Sequence, residues 1–312
     1  MLHMRVIAPT GRTDAVRELL IAEPGATHIT VLPGIAVQPA GDVVEADIAR
    51  EAVDGLLGSL CEIGIDRDGG VTLEVIDTTL SDRADAAEEA APGEGTDAVI
   101  WDDLVARTGE ESRMSISFQA FLAIACLLAA IGAITDSPVT VVGAMVLGPE
   151  FGPLAAIAVG AVLRRRDLIG RGATAIAIGF PVSMAITAVA ALLLDLTGLL
   201  STGQLDNLDQ VDFIYDVGPF SFIVALLAGA AGMLALTSAK SASLVGVFIS
   251  VTTVPAAAFA SVALVEGRFA QAGQSALQLA VNLAGIVIAA AAVLLIARRG
   301  ARGKGLRPLS DG

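Results

Sequence analysis

From residue 118 onward the sequence is dominated by six long apolar segments: Phe118–Ile134, Val139–Leu163, Leu168–Leu194, Phe220–Leu236, Ser243–Val265 and Ala276–Ala297. A helix needs about 20 apolar residues to cross a hydrocarbon core of roughly 30 Å, and each segment is about that long. No water is present at that depth to satisfy backbone N–H and C=O groups, so segments of this kind must be helical. The sequence therefore predicts an α-helical polytopic membrane domain of six spans over residues 118–297. A hydrophobic fraction of 54% and a mean hydropathy of +0.74 agree with that class.

One stretch breaks the apolar pattern. Thr135–Pro153 carries two carboxylates, Asp136 and Glu150, and three prolines, Pro138, Pro149 and Pro153. Glu150 stands between Gly148-Pro149 and Gly152-Pro153. A proline inside a helix removes a donor and clashes with the preceding turn, so a broken membrane helix is expected here. A carboxylate at mid-membrane depth costs about 2.5–3.5 kcal/mol even on permissive scales. Glu150 therefore needs a partner, a proton or a water-filled cavity. It reads as a proton carrier, cation ligand or gate, or as a structural carboxylate accepting the N–H groups of the broken helix. Asp136, ahead of Ser137-Pro138, reads as a helix N-cap.

A second copy of the pattern is expected in the fifth segment. Val141–Ala158 aligns with Leu244–Ala260, matching Gly143 with Gly246 and, with one residue dropped, Pro153 with Pro255. Glu150 then falls opposite Thr252 or Thr253. Two units of three spans are inverted relative to each other, and paired broken helices in such repeats form transporter-type binding sites. Thr252 and Thr253 would line a polar path or bond back to their own helix. Gln278 and Asn282, one turn apart, share a face of the sixth segment. They would face the same cavity or join helices as polar contacts.

Basic residues set the expected orientation. Arg164, Arg165, Arg166 and Arg171 follow the second segment, Lys240 precedes the fifth, and Arg298, Arg299, Arg302, Lys304 and Arg307 follow the sixth. All fall on one side of a six-span chain, which places both termini in the cytoplasm. Residues 298–312 are then a basic cytoplasmic tail, and the first twenty residues carry no signal-peptide pattern.

Residues 1–80 read as a soluble domain. Short strands are expected at Met4–Ala8, Ala26–Leu32, Asp42–Ala49 and Val71–Ile76, with helices at Gly11–Ala22 and Glu51–Ile63. The order β-α-β-β-α-β is that of a ferredoxin-like α+β domain, a fold that hosts sensors of small ligands. His3 and His28 are isolated in the sequence and read as ordinary surface or structural residues. Residues 1–97 hold six Arg and nineteen Asp or Glu, nearly all of the net charge of −14. So acidic a domain is not a nucleic-acid binder. Cys61 and Cys126 supply no disulfide framework or metal spacing. Residues 81–97 are expected to be an acidic flexible linker. Residues 98–117 would hold a juxtamembrane amphipathic helix, with Trp101 either at the membrane interface or docked on the soluble domain.

The run from Ile131 to Leu168 resembles a family of prokaryotic integral membrane proteins, the domain of unknown function 389. Its ordered motifs stand here as Ile131-Gly132, Thr135-Asp136-Ser137, Gly143-Ala144-Met145 and Gly148–Pro153. The resemblance spans Trp101 to about Leu264 and implies a prokaryotic integral membrane protein, often with an N-terminal soluble domain; the cell (inner) membrane is the expected location. At Glu150-Phe151 the sequence departs from the apolar pair expected there, so the role of Glu150 rests on this chain's own chemistry. The resemblance brings no activity with it.

These features lead to an expected transporter of a small solute or ion. Its pathway would be lined by Asp136, Gly148, Pro149, Glu150, Gly152, Pro153, Thr252, Thr253, Pro255, Gln278 and Asn282. Its partners would be the lipid bilayer, the solute, a small ligand of the soluble domain and further copies of the chain. The same residues admit an ion channel, or a membrane-anchored sensor or scaffold. No catalytic residue, metal site or cofactor site is legible, so an enzyme is not expected.

Overall fold

The computed structural model describes residues 1–91, 99–198, 219–238 and 253–303. The chain divides into two units, one built on Met1–Asp103 and the other on Leu104–Leu236 and Lys240–Ala297.

The first unit is a four-stranded antiparallel sheet with helices. β1 (Leu2–Ala8) leads to helix α1 (Thr13–Ala22), then β2 (Ala26–Val37), β3 (Ala40–Ile48), helix α2 (Arg50–Glu62), one turn α3 (Ile65–Asp68) and β4 (Gly70–Val75). The strand order is β2-β3-β1-β4, so β3 lies between the two strands that α1 connects. Alternation explains the packing: Leu2, Met4, Val6 and Ala8 turn to the core. Val16 and Leu20 of α1, and Val53, Leu56 and Leu60 of α2, close over them at helical spacing. β2 runs five residues beyond the expected Leu32, through Gly34 at φ +67 and an irregularity in register.

Two expectations change in this unit. Asp82–Ala90, read as part of a flexible linker, is a helix, α4. Ser81 caps it by accepting the Ala84 N–H, Asp82 and Asp85 sit at its positive end, and Ala84 and Ala87 are buried. Trp101 opens helix α5 (Trp101–Glu111) and is buried, with its neighbour Ile100 packed into the core of the sheet unit. Of the two placements open to Trp101, the structure takes the docked one.

The second unit is helical. α6 (Ile116–Ile134), α7 (Pro138–Val146), α8 (Phe151–Leu163), α9 (Arg166–Leu196), α10 (Pro219–Thr237), α11 (Val254–Val265) and α12 (Phe269–Gly303) follow in order. Among the described residues, α6, α9, α10 and α12 are long and apolar enough to cross a bilayer. The α7–α8 pair, bent by 53° at its break, makes five when taken as one span. These helices mark the chain as a membrane protein. Of the expected fifth segment only α11 is described; residues 239–252, with Lys240, Thr252 and most of the expected second repeat copy, lie outside the described residues, so a count of six is not reached. The core lies around α11, whose residues Val254 through Ala263 are all buried. A helix apolar on every side belongs inside, and its alanines let α6, α7 and α9 approach closely.

Candidate functional site

The break between α7 and α8 follows from its prolines. α7 tightens at its end, where the Leu147 N–H reaches the Ala144 carbonyl at 3.1 Å and the Gly148 N–H reaches Met145 at 3.4 Å. Pro149 cannot donate onward, and Gly148, preceding it, is biased away from helix. Glu150 restarts the chain as the N-cap of α8, whose third residue is Pro153. The start of α11 is built in the same way: Thr253 is the N-cap, and Pro255 is the second residue of the helix. In each case the cap carbonyl accepts the first helical bond, Leu154 N–H to Glu150 and Ala257 N–H to Thr253.

An N-cap side chain ordinarily accepts the N–H of the second or third helical residue. Pro153 and Pro255 each remove one of those donors, and neither Glu150 nor Thr253 caps its own helix with its side chain. The two side chains instead meet each other: the Thr253 hydroxyl donates to Glu150 Oε1 at 2.6 Å, with both residues fully buried. At 2.6 Å it lies at the short end of the range for a hydroxyl-to-oxygen hydrogen bond. The partial positive charge of two helix starts falls where the carboxylate sits.

Beside this junction lies a cavity of about 530 Å³. Gly148, Pro149, Phe151 and Gly152 from the break and Phe118 and Phe121 from α6 form part of its wall. Gly152 is required for packing, because a Cβ there would come within 2.6 Å of the Glu111 Cβ. Pro153 is buried, and its carbonyl lies against Gly172 of α9 so closely that no side chain fits there.

The remaining expected site residues separate into distinct roles. Asp136 is not the cap of α7: Ser137 is, accepting the Thr140 N–H, while Asp136 takes the left-handed turn at φ +46 that joins α6 to α7. Asp is among the few residues that tolerate that conformation, which moves the cap one residue on. Gln278 and Asn282 meet at Ser221: Gln278 Nε2 donates to its hydroxyl at 3.0 Å, which donates to Asn282 Oδ1 at 3.3 Å. They join α12 to α10, where Gly229 lets the backbone of Ile286 approach. Thr252 lies outside the described residues.

The sheet unit contains a cluster that sequence reasoning missed. His3 and His28 are not isolated. Both bind Asp47, His3 Nδ1 at 2.8 Å and His28 Nδ1 at 2.7 Å, and His28 Nε2 lies 2.9 Å from Ser81 Oγ. His3 faces Asp47 across the β1–β3 ladder, a pairing visible only once the register is known. Partial burial pushes the Asp47 carboxyl up, and the bonds from the two histidines outweigh it, so it rests below its usual range. The Ser81–His28–Asp47 order is that of a nucleophile, base and orienting acid. Here, however, Ser81 Oγ also caps α4 and Asp47 is shared with His3, so the cluster acts as a pin holding α4 to β2 and β3. Nearby in sequence, Asp54 accepts the Trp101 N–H at 3.3 Å. Burial pushes its carboxyl up to about 6, opposed by that bond and reinforced by Asp102. Among the described residues no three His, Cys, Asp or Glu side chains are grouped to hold a metal.

Residues 145–288 match the family model described as Domain of unknown function (DUF389). The matched segment holds Glu150, Thr253, Pro255, Gln278 and Asn282, and so contains both proline-bearing helix starts and the α10–α12 bridge. It begins later than the resemblance read from the sequence, leaving Asp136 and the Ile131-Gly132 motif ahead of it, and extends past Leu264 into α12. No curated protein and no solved structure matches the chain.

Proposed function

We propose that the protein is a membrane transporter of a small solute or ion, with its pathway at the junction of α8 and α11. The observation that carries this reading is the buried Glu150–Thr253 bond between two proline-initiated helix starts. An acid kept inside a membrane domain is costly and marks ion or substrate pathways by default, and paired broken helices at corresponding places mark transporter sites. The repeat alignment sets Glu150 opposite Thr252 or Thr253, and Thr253 is the residue that Glu150 meets. Residues equivalent by a two-fold operation touch where they lie on its axis, which supports an inverted arrangement of three spans and three.

In this reading the domain has six spans, with both termini in the cytoplasm of a prokaryotic cell and the domain in the inner membrane. The sheet unit is a ferredoxin-like regulatory domain, and small residues on the helix surfaces favour assembly into a homo-oligomer. No catalytic role is assigned.

Purified protein in liposomes tests the reading. A transporter gives saturable, gradient-coupled flux of a panel of labelled small ions and solutes, and Glu150→Gln lowers it at least tenfold. Unitary current steps would assign a channel instead. An absence of both, with a ligand bound by the sheet unit, would assign a sensor.

A further inference from the structure

We infer that the cavity beside Gly148-Pro149 binds an organic cation, a protonated amine carried on an apolar body. For the claim that this cation is also what the protein moves, the inference rests on the transport reading; the binding itself does not.

The cavity has two kinds of lining. One part is apolar and aromatic: Phe118 and Phe121 from α6, Phe151 from the start of α8, and Pro149. The other comes from the end of α5 and the turn that follows it and carries Glu110, Glu111, Arg113 and Ser115. Among the lining residues two carboxylates stand against one guanidinium, with Arg107 near enough to act on Glu111 as well. A volume of about 530 Å³ lies inside the range of about 300–1,000 Å³ that small-molecule sites occupy. Sites of that kind are mostly apolar, with a few placed polar groups.

Glu111 is the group that sets the charge of the ligand. It lies against Gly152, where an added Cβ would stand 3.0 Å from its Oε2. The missing side chain is what lets the carboxylate reach the break. Partial burial pushes the Glu111 carboxyl above its usual range, against the opposing pull of Arg107. A carboxylate held in that way gains most from a cation brought beside it. Three phenyl rings add attraction for the same charge, since an ammonium within about 6 Å of a ring face is favoured by its quadrupole. A neutral ligand would use the rings and leave the carboxylates unused. An anion would have to sit beside both of them.

An ammonium group reaches this cavity from a free amine or from a lipid headgroup. The two lining carboxylates favour a plain cation over a zwitterionic headgroup, whose phosphate they would oppose, and a free amine is the occupant assigned here.

Isothermal titration of the full-length protein in a neutral maltoside detergent tests this, with phenethylammonium chloride as the probe. The expected result is one saturable site, with 2-phenylethanol binding at least tenfold more weakly. Glu111→Gln should weaken phenethylammonium at least tenfold. Phe121→Ala, at a side chain already half exposed, should weaken it about threefold without disturbing the fold. The inference is overturned if the ammonium does not bind, if the alcohol binds as well as the amine, or if both variants bind like the parent. It is also overturned if short-chain phosphatidylethanolamine binds more tightly than phenethylammonium and displaces it. Uptake of the same compound into liposomes is measured separately: saturable binding without uptake keeps the site and rejects the transport reading, and flux of other solutes without binding does the reverse.

Discussion

Glu150 and Asp54 are two carboxylates withdrawn from water in two different settings. Asp54 stands on a helix of the sheet unit, only partly covered, and accepts one backbone N–H from Trp101. Glu150 is fully buried among membrane helices and accepts the hydroxyl of Thr253. The first is tolerated because a proton is available near physiological pH and the carboxyl is pushed up to about 6. The second is held by two helix starts, each of which has lost one of its capping donors to proline. A soluble domain can accommodate a half-buried acid with a change of protonation; the membrane unit has to build a structure around one.

The contrast is sharpest in what each acid loses with its partner. Thr253→Val keeps the shape of the side chain and removes one hydrogen bond to a buried carboxyl group, a loss of about 1–3 kcal/mol. Unfolding in mixed micelles should register that loss. The double variant Glu150→Leu with Thr253→Val should recover most of it, since replacing both partners by apolar groups is close to neutral. If Thr253→Val is as stable as the parent, the bond does not join α8 to α11.

Asp54 gives the pH-dependent counterpart. Its folded carboxyl, at about 6, lies above the usual value of 3.8. The folded state therefore holds the proton more tightly than the unfolded chain. That stabilisation is fully present below about pH 4 and is lost as pH rises through about 6, amounting to about 1–3 kcal/mol at about 1.4 kcal/mol per unit. Trp101, the sole tryptophan, reports it directly: its emission during denaturant unfolding should reveal a less stable sheet unit at pH 7 than at pH 4.5. Asp54→Asn should flatten this dependence, and a parent protein without it would remove Asp54 from the comparison.

Smaller effects probe the polar clusters on either side. His28→Ala should loosen α4 by about 1 kcal/mol, the worth of an ordinary hydrogen bond, seen as faster amide exchange at Ala84 and Ala87. The lowered carboxyl of Asp47 works with the opposite sign to Asp54: its contribution is present above the ordinary carboxylate range and is lost as pH falls below about 4. Ser221→Ala should cost least, about 0.6 kcal/mol, the average for hydrogen bonds between membrane helices.

The sheet unit was legible where alternation governs it. The periods of β1, β3, α1 and α2 place their core residues directly. What was missed there needed register: His3 meets Asp47 only because β1 and β3 pair as they do. Helix α4 was missed because Ala84 and Ala87 are its whole buried face, a signal hidden among acids. In the membrane unit the break was legible, since Gly148-Pro149 and Pro153 cannot continue a helix. The cap of α7 was read one residue early, at Asp136 instead of Ser137, because the turn before it uses a left-handed residue. The meeting of Glu150 with Thr253 lies 103 residues apart in sequence. Uniformly apolar helices carry no periodicity to indicate which faces pack, and only the alignment of two proline-bearing segments hinted at it.

Access of water to the break is the most direct test. In a chain with Cys61→Ser and Cys126→Ala, a single Gly148→Cys should react with a membrane-impermeant thiol reagent in proteoliposomes, as Ser115→Cys in the cavity lining does. Ala129→Cys, buried in the helix core, should stay silent. Reaction at 148 comparable to that at 115 is the predicted result. A Gly148→Cys protein that folds, and is as unreactive as Ala129→Cys, would contradict a water-reachable break and the pathway built on it.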